Sequence, residues 1–211
     1  MSNKVNDRSV DSDGSQNKAA EHAVSQLLRN NLREATANAH RALDHHPILS
    51  PLLRSPLSTE AYILALRALH GPQSALETML YGFAPREAFP GRAADLERDL
   101  ARLDVKPYPV LVTVPRATDY ATKMGAMYVI EGSNLGGQVI ARQLAQTLSP
   151  ELPRDFFGRA EGYARWERFW EFAMQYLAED NIAKASEMAV DVFDFYRAHL
   201  NSVLQHTPIP D

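Results

Sequence analysis

The sequence predicts an all-α protein folded as one domain. Apolar residues recur every three to four positions over long stretches, which places them on one side of a helix. Breaks rich in proline and glycine separate these stretches, and the strand-like Val110–Val112 has no partner segment. The 211 residues are enough for one domain with a sizeable core.

Composition excludes several classes of chemistry. The chain has no cysteine, which rules out disulfides, iron–sulfur ligation and thiolate nucleophiles. Its formal net charge of -4 argues against a general nucleic-acid binder, which carries a basic surplus. No apolar run is long enough for a signal peptide or a membrane span, so we expect no membrane partner and a cytoplasmic location.

The two ends of the chain differ in composition from its middle. Residues 1–22 are rich in Ser, Asp, Asn and Lys and have no aromatic residue, which predicts a disordered N-terminal arm. Residues 23–207 form the predicted helical domain. Residues 208–211, with two prolines, are a short C-terminal tail.

The first predicted helix runs from about Ser25 to His46 and ends because Pro47 disfavours the α conformation of the residue before it. Its buried stripe consists of Leu28, Leu32, Ala35, Ala39 and Leu43. A loop with Pro51 and Pro56 follows.

Ser58 can cap the second helix, in which Gly71-Pro72 predicts a kink or break. A third helix is predicted over Ala93–Leu103, and the proline-rich segment Val105–Pro115 is a connection. Three more helices are predicted over about Thr118–Leu148, Glu161–Ala178 and, after a cap at Asp180-Asn181, up to about Gln205.

One face of the first helix carries a candidate ligand group. At about 100° per residue, Arg33, His40 and Asp44 share a face beside the buried stripe. Asp44, at i+4, can accept a hydrogen bond from Nδ1–H of His40, which leaves Nε2 free to bind a metal. The alternative is an ordinary surface pair. His45 and His46 are competing candidates, although they lie at the frayed helix end.

The predicted fourth helix contains an unusual run of glycines. Gly132, Gly136 and Gly137 fall within six residues, and each costs about 1 kcal/mol in a helix interior relative to alanine. One explanation is a kink whose bare backbone approaches a flat ligand. The alternatives are close helix–helix packing through small residues, or two helices joined by a turn at Gly132–Asn134. No strand precedes the run and no Lys-Ser/Thr follows it, so it is not a phosphate loop.

Together these stretches resemble the haem oxygenase family over most of the chain. Leu32-Arg33-Glu34-Ala35-Thr36 with His40 is similar to the family's proximal helix. Glu131-Gly132-Ser133-Asn134-Leu135-Gly136-Gly137-Gln138-Val139 is similar to its kinked distal helix. Phe195-Tyr196-Arg197 with Leu200-Asn201-Ser202 is similar to its last helix. The three stretches lie in the family's order across about 170 positions.

The resemblance implies the fold, the activity and the site. Haem would lie in a helical bundle between the proximal helix and the kinked distal helix. His40 would be the axial iron ligand, Asp44 its hydrogen-bond acceptor, and Arg33 and Arg197 the propionate contacts. The distal face would be formed by Gly132, Ser133, Gly136 and Gly137.

The implied reaction uses haem as both substrate and cofactor. Oxygen and electrons from an external donor open the porphyrin ring to biliverdin, carbon monoxide and ferrous iron. A ferredoxin or flavoprotein reductase is the implied donor. Ser133 departs from many members, which carry an Asp at this position that orders the distal water. A Gly-Ser pair resembles the subset associated with bacterial phytochromes, so a biliverdin-accepting phytochrome is an implied partner.

Two other functions remain open at this point. The first is a haem-binding or haem-delivery protein without turnover, which Ser133 favours. The second is a helical bundle of related fold that acts on another small molecule or serves as an interaction module.

Overall fold

The computed structural model describes residues 10–158 and 162–206, with side chains from residue 22 onward. Within these residues the chain is helical and has no strand, which confirms the predicted all-α class. The helices are α1 (Val10–Asp44), α2 (Thr59–Met79), α3 (Ala93–Arg102), α4 (Tyr120–Thr147), α5 (Asp155–Gly158), α6 (Gly162–Ala173) and α7 (Ile182–His206), with a short 3-10 helix at Ser50–Leu53.

The start of α1 differs from the predicted disordered arm over residues 1–22. The helix begins at Val10, so residues 10–22 are helical. The arm lacks a core-facing stripe, which is why the sequence pattern did not predict a helix there. Once α1 is nucleated by its packed part, however, each further residue adds one backbone hydrogen bond without a new nucleus. Residues 1–9 and the predicted tail, 208–211, lie outside the described residues.

Helix α2 runs through Gly71 and Pro72 without a break, which excludes one of the two predicted outcomes at this point, a kink or a break. Proline removes one N–H donor from the helix, and here the helical pattern continues on both sides of it. The connection after α3 packs over this point: the Tyr108 backbone N–H donates to the Arg67 carbonyl at 3.1 Å. A Cβ on Gly71 would lie only 2.7 Å from Cγ2 of Val110, so glycine allows this close packing.

Helix α4 is a single helix of 28 residues, which excludes the alternative of two helices joined by a turn. Asp119 begins it: its carboxylate accepts the Thr122 backbone N–H at 2.9 Å, and the Thr122 hydroxyl oxygen accepts the Asp119 N–H at 3.1 Å. These reciprocal bonds form a capping box. The short α5 was not predicted, and α6 ends five residues earlier than predicted.

Helices α4 and α7 pack against each other at the centre of the bundle, with α1 against α7 and α6 against α4. The described core has two apolar clusters. One joins α1, α4, α6 and α7 around Met124, Phe169 and Val192. The other joins α2, α3 and α5 to the end of α7 around Tyr62, Leu96 and Leu200. Among the described residues, no helix combines the length and apolar character needed to span a bilayer.

Candidate functional site

A cavity of ≈ 490 Å³ opens between α1 and α4, at the boundary of the two core clusters. Its volume lies within the range of about 300–1,000 Å³ that is usual for small-molecule pockets. Most of its lining is apolar. Two of its apolar side chains, Leu53 and Val139, are 46% and 50% exposed, so the cavity offers apolar surface to a ligand. The aliphatic lining residues include Leu43, Leu49, Leu52, Leu53, Val139 and Ile140.

His40 lies on the α1 wall of this cavity. Its side chain is 61% exposed, and Nδ1 lies 2.9 Å from Oδ2 of Asp44, which also lines the cavity. The ring packs edge-on against Phe193 of α7, with 5.5 Å between centroids. In the neutral imidazole with Nδ1–H directed to the carboxylate, Nε2 carries the free lone pair that a metal ligand requires.

The two competing histidines make other contacts. His46 is buried: Nε2 lies 3.2 Å from Oδ1 of Asn201, and Nδ1 accepts the Ile48 backbone N–H at 3.2 Å. Nδ1 of the exposed His45 lies 2.8 Å from the Arg41 carbonyl. Neither is among the described residues that line the cavity, so His40 is the histidine available to a ligand there.

The wall of the cavity that α4 supplies includes Gly132, Ser133, Gly136 and Gly137. Gly132 and Gly136 are four residues apart, as are Ser133 and Gly137, so all four lie on one side of the helix. The Ser133 hydroxyl donates to the Ile130 carbonyl at 2.6 Å, so its oxygen faces other groups only as an acceptor. The α4 wall thus combines the bare backbone of these glycines with apolar side chains of the same helix.

Two explanations for the glycine run remain, approach to a flat ligand and close packing against another helix. The space around each glycine distinguishes them. A Cβ on Gly136 would meet no atom of the described residues within 4 Å. On Gly132 it would lie 3.6 Å from Trp166, and on Gly137 it would lie 3.9 Å from Arg92. All three positions leave room for a methyl group. Close helix packing therefore does not explain these glycines, whereas it does explain Gly125, whose Cβ would overlap the Ala185 backbone of α7.

Arg33 and Arg197 are placed differently from the other predicted site residues. Among the described residues, neither lines the cavity. Arg33 is exposed and donates to Oδ1 of Asn30 at 3.3 Å. Arg197 donates to Oδ1 of Asp194 at 2.8 Å, with half of each side chain exposed. Their role as propionate contacts stays a prediction.

The sequence analysis missed a polar network beside the cavity. The Tyr196 hydroxyl donates to Oε1 of Gln73 at 3.0 Å, and Nε2 of Gln73 donates to Oε1 of Glu77 at 2.7 Å. The same carboxylate oxygen accepts the backbone N–H of Arg92 at 2.6 Å. Burial raises the pKa of Tyr196, with the nearby negative charge of Glu77 adding to the effect, so the hydroxyl keeps its proton.

A buried ion pair supports the glycine face from behind. Arg165 of α6 donates twice to the carboxylate of Glu131, at 2.8 Å between Nη2 and Oε1 and through Nε to Oε2. Side-chain exposure is 5% for Arg165 and 3% for Glu131. Asn134, one turn along α4, donates to the Ile130 carbonyl at 3.3 Å. The pair fixes the rotation of α4 and hence the direction of its glycine face.

The sequence pattern indicates some residues of the polar network and of the buried ion pair. Gln73 occupies a core position of α2 by its spacing from Leu69 and Leu76, and a polar residue there indicates a buried hydrogen-bond network. Glu131 interrupts the apolar stretch of α4 in the same way. Arg92 had no such signal, because its position beside the cavity follows from the packing of α3 against α5.

The fold and the cavity together define a helical protein that encloses a small apolar molecule between one histidine and the backbone of a facing helix. The chain belongs to the haem oxygenase family: the family model described as Heme oxygenase matches residues 26–202, a range that includes both walls of the cavity. By class it is therefore a haem-degrading oxidoreductase.

Solved structures agree with this fold. The NO- and CO-bound heme oxygenase from Neisseria meningitidis is 21% identical, with a TM-score of 0.63, and the match covers 87% of this chain and 96% of that one. Heme oxygenase-1 from the cyanobacterium Synechocystis sp., in complex with heme, is 19% identical, with a TM-score of 0.61, and the match covers 85% of this chain and 93% of that one. At these identities the likeness concerns the fold. The comparison with curated protein sequences gave no match.

Proposed function

We propose that this chain binds haem in the cavity between α1 and α4 and, with oxygen and external electrons, opens it to biliverdin, carbon monoxide and ferrous iron. The observation that carries the proposal is the His40–Asp44 pair, which faces the glycine wall of α4 across an apolar cavity. Haem belongs to the family's chemistry, and the residues present fit it.

The fit rests on three features of the cavity. Its apolar side chains, two of them about half exposed, provide the environment that a porphyrin prefers. His40 offers Nε2 on one wall. Gly136 leaves open space on the other wall, where a side chain would narrow the gap.

Bound haem supplies both the substrate and the iron centre for oxygen activation. His40 holds the iron from the α1 side, and Asp44 orients its imidazole and increases its basicity by accepting from Nδ1–H. Gly132, Gly136 and Gly137 would allow the α4 backbone to lie close to bound haem and to limit the space left beside it for oxygen. Ser133 offers an acceptor oxygen on the same wall.

Arg33 and Arg197 remain the proposed propionate contacts. Both are exposed and can change rotamer at little cost, and an arginine pairs with a carboxylate in bidentate fashion. Tyr128 lies on the cavity wall, and the positive charge of Arg33 acts on its hydroxyl by opposing the rise in pKa that burial causes. Arg197 lies one turn beyond Phe193, which contacts His40.

Titration with haem tests the assignment of His40. The wild-type chain is expected to bind one haem per chain with a sharp Soret band, and His40→Ala to lose the axial ligation and the turnover. His45→Ala, at an exposed position on the same helix end, is the matched control and should behave as wild type. An unchanged haem spectrum and turnover in His40→Ala would show that the iron has another ligand.

A haem carrier without turnover is the second candidate, and Ser133 favours it because its hydroxyl proton is engaged by the Ile130 carbonyl. Incubation of the haem complex with a reductant and oxygen separates the two. Decay of the Soret band with growth of biliverdin absorption identifies an oxygenase, whereas a stable oxygen complex identifies a carrier.

The proposal also names two protein partners, the electron donor and the protein that accepts biliverdin. A ferredoxin or flavoprotein reductase supplies the electrons, and a phytochrome accepts the biliverdin. The Gly132-Ser133 pair, which resembles the phytochrome-associated subset, supports the second partner. Turnover with each donor class, followed by identification of the biliverdin isomer, tests both.

A further inference from the structure

Arg92 is a buried cation on the wall of the cavity. It lies at the start of α3, lines the cavity and is 4% exposed. A charged side chain this deeply buried is normally paired with an opposite charge, because its desolvation is otherwise unfavourable. An opposite charge is therefore expected near Arg92, either in the protein or in the cavity.

The partners of the guanidinium are neutral. Nη1 donates to Oδ1 of Asn134 at 2.6 Å, and Nη2 donates to the Phe156 carbonyl. The guanidinium also lies over the Phe156 ring, 4.2 Å from its centroid. Among the described residues, no carboxylate lies within ion-pair distance of it, although Asp95, Glu131 and Glu77 act on it from farther away.

One donor of this side chain has no acceptor. Nε is buried and has no hydrogen-bond partner in the described part of the chain. Burial lowers the pKa of Arg92 to about 10, with the like charge of Arg165 adding to the effect, so the group is still protonated at neutral pH. The cavity wall thus holds a full positive charge, and the Nε–H of the same side chain is enclosed by protein.

Arg92 belongs to the α4 side of the cavity. A Cβ on Gly137 would lie 3.9 Å from both of its terminal nitrogens. The Ser133 hydroxyl on the same helix can act there only as an acceptor, because it donates to the Ile130 carbonyl. A small anion bound beside α4 would therefore find its counter-charge in Arg92.

We propose that Arg92 makes the α4 side of the haem cavity selective for small anions and is a positioning residue for the charge and water bound there. The inference rests on the proposed haem site and deepens it. It gives a physical basis for a distal wall that carries Ser133 where many family members have a carboxylate.

Ligand binding to the haem complex tests this inference with two probes of similar size. Azide, an anion, binds to the ferric complex, and carbon monoxide, which is neutral, binds to the ferrous complex. Arg92→Gln keeps an amide donor but removes the charge, and we expect azide affinity to fall by about tenfold or more, since close charge pairs contribute at least that much. Carbon monoxide affinity should change by less than about threefold.

Two further variants distinguish the effect of the Arg92 charge from a structural effect of replacing this side chain. Arg92→Lys retains the charge and should keep azide affinity closer to wild type than Arg92→Gln does. Asn134→Asp leaves Arg92 in place but pairs it with a carboxylate, so azide affinity should fall here as well. Arg86→Gln removes an exposed arginine outside the haem cavity and is the matched control.

The inference is overturned if Arg92→Gln binds azide as tightly as wild type, if azide and carbon monoxide affinities fall equally, or if Arg92→Lys loses as much azide affinity as Arg92→Gln. Should Arg92→Gln fail to fold, Asn134→Asp decides in the same way. A wild-type chain that binds no haem would instead overturn the proposed function.

Discussion

Glu131 and Arg165 are each almost fully shielded from solvent, and their pairing connects α4 to α6 behind the cavity. Breaking a buried pair by removing one partner leaves an uncompensated charge, which is far more unfavourable than losing an exposed pair. At the residue scale, the stability of the site therefore depends on this carboxylate more than on the surface arginines.

We expect Glu131→Gln to lower the free energy of unfolding by about 3–5 kcal/mol, because the buried Arg165 loses the carboxylate that accepts two of its hydrogen bonds. Urea unfolding followed by circular dichroism measures the change. Glu167→Gln is the control: its ion pair with Arg29, at 3.0 Å, is partly exposed, so the loss should be below about 1 kcal/mol. Equal losses in the two variants would contradict the special role of the buried pair.

At the scale of elements, α4 is the helix that both packs the core and forms the cavity. Its first glycine, Gly125, lies against the Ala185 backbone, whereas Gly136 faces the cavity. The same residue type thus serves two purposes on one helix, and the same substitution should have opposite effects on stability at the two positions.

Gly136→Ala should stabilise the haem-free protein by about 0.5–1 kcal/mol, because alanine is the better helix former and has room for its methyl group. It should at the same time weaken haem binding or slow turnover, since the methyl group enters the cavity. Urea unfolding of the haem-free protein and haem titration measure the two effects.

Gly125→Ala is the matched substitution and should destabilise the protein by about 1–3 kcal/mol, as expected for overpacking, because its Cβ has no room beside Ala185. Stabilisation by Gly125→Ala, or tighter haem binding by Gly136→Ala, would contradict these assignments. Either result would mean that α4 shifts to accept a side chain.

At the scale of the whole molecule, two buried histidines connect α7 to the rest of the fold. His46 follows the end of α1 and meets Asn201, and His199 lies on α7 beside Gly71 of α2. Burial lowers the pKa of both. For His46 the positive charge of Arg197 adds to this, while the bond to Asn201 opposes it; for His199 the Ala68 carbonyl opposes it.

The free energy of unfolding should therefore rise with pH between about 5 and 7. The folded pKa values lie below the unfolded value of 6.5, so below that pH the unfolded chain binds more protons and the folded state loses stability. Urea unfolding across this range should give a shallower slope for His199→Gln than for wild type. His45→Gln, at an exposed position, is the control, and a flat wild-type profile would contradict the prediction.

Much of the site could be predicted because it follows from local pattern. His40 and Asp44 are one helical turn apart, so their contact depends only on α1 being helical. The glycine face of α4 likewise follows from helix periodicity. The unbroken α2 could not be predicted, because the packing of Val110 and Tyr108 over Gly71 involves residues far away in the sequence.

Spacing along single helices was enough to predict an all-α chain, the contact of His40 with Asp44, and a group of glycines on one side of α4. It did not predict that these two helix faces meet across one cavity, or that Arg92 lies buried beside it with neutral partners. Helix periodicity sets which residues share a face, whereas the pairing of faces and the burial of a charge depend on packing between segments that are distant in the sequence.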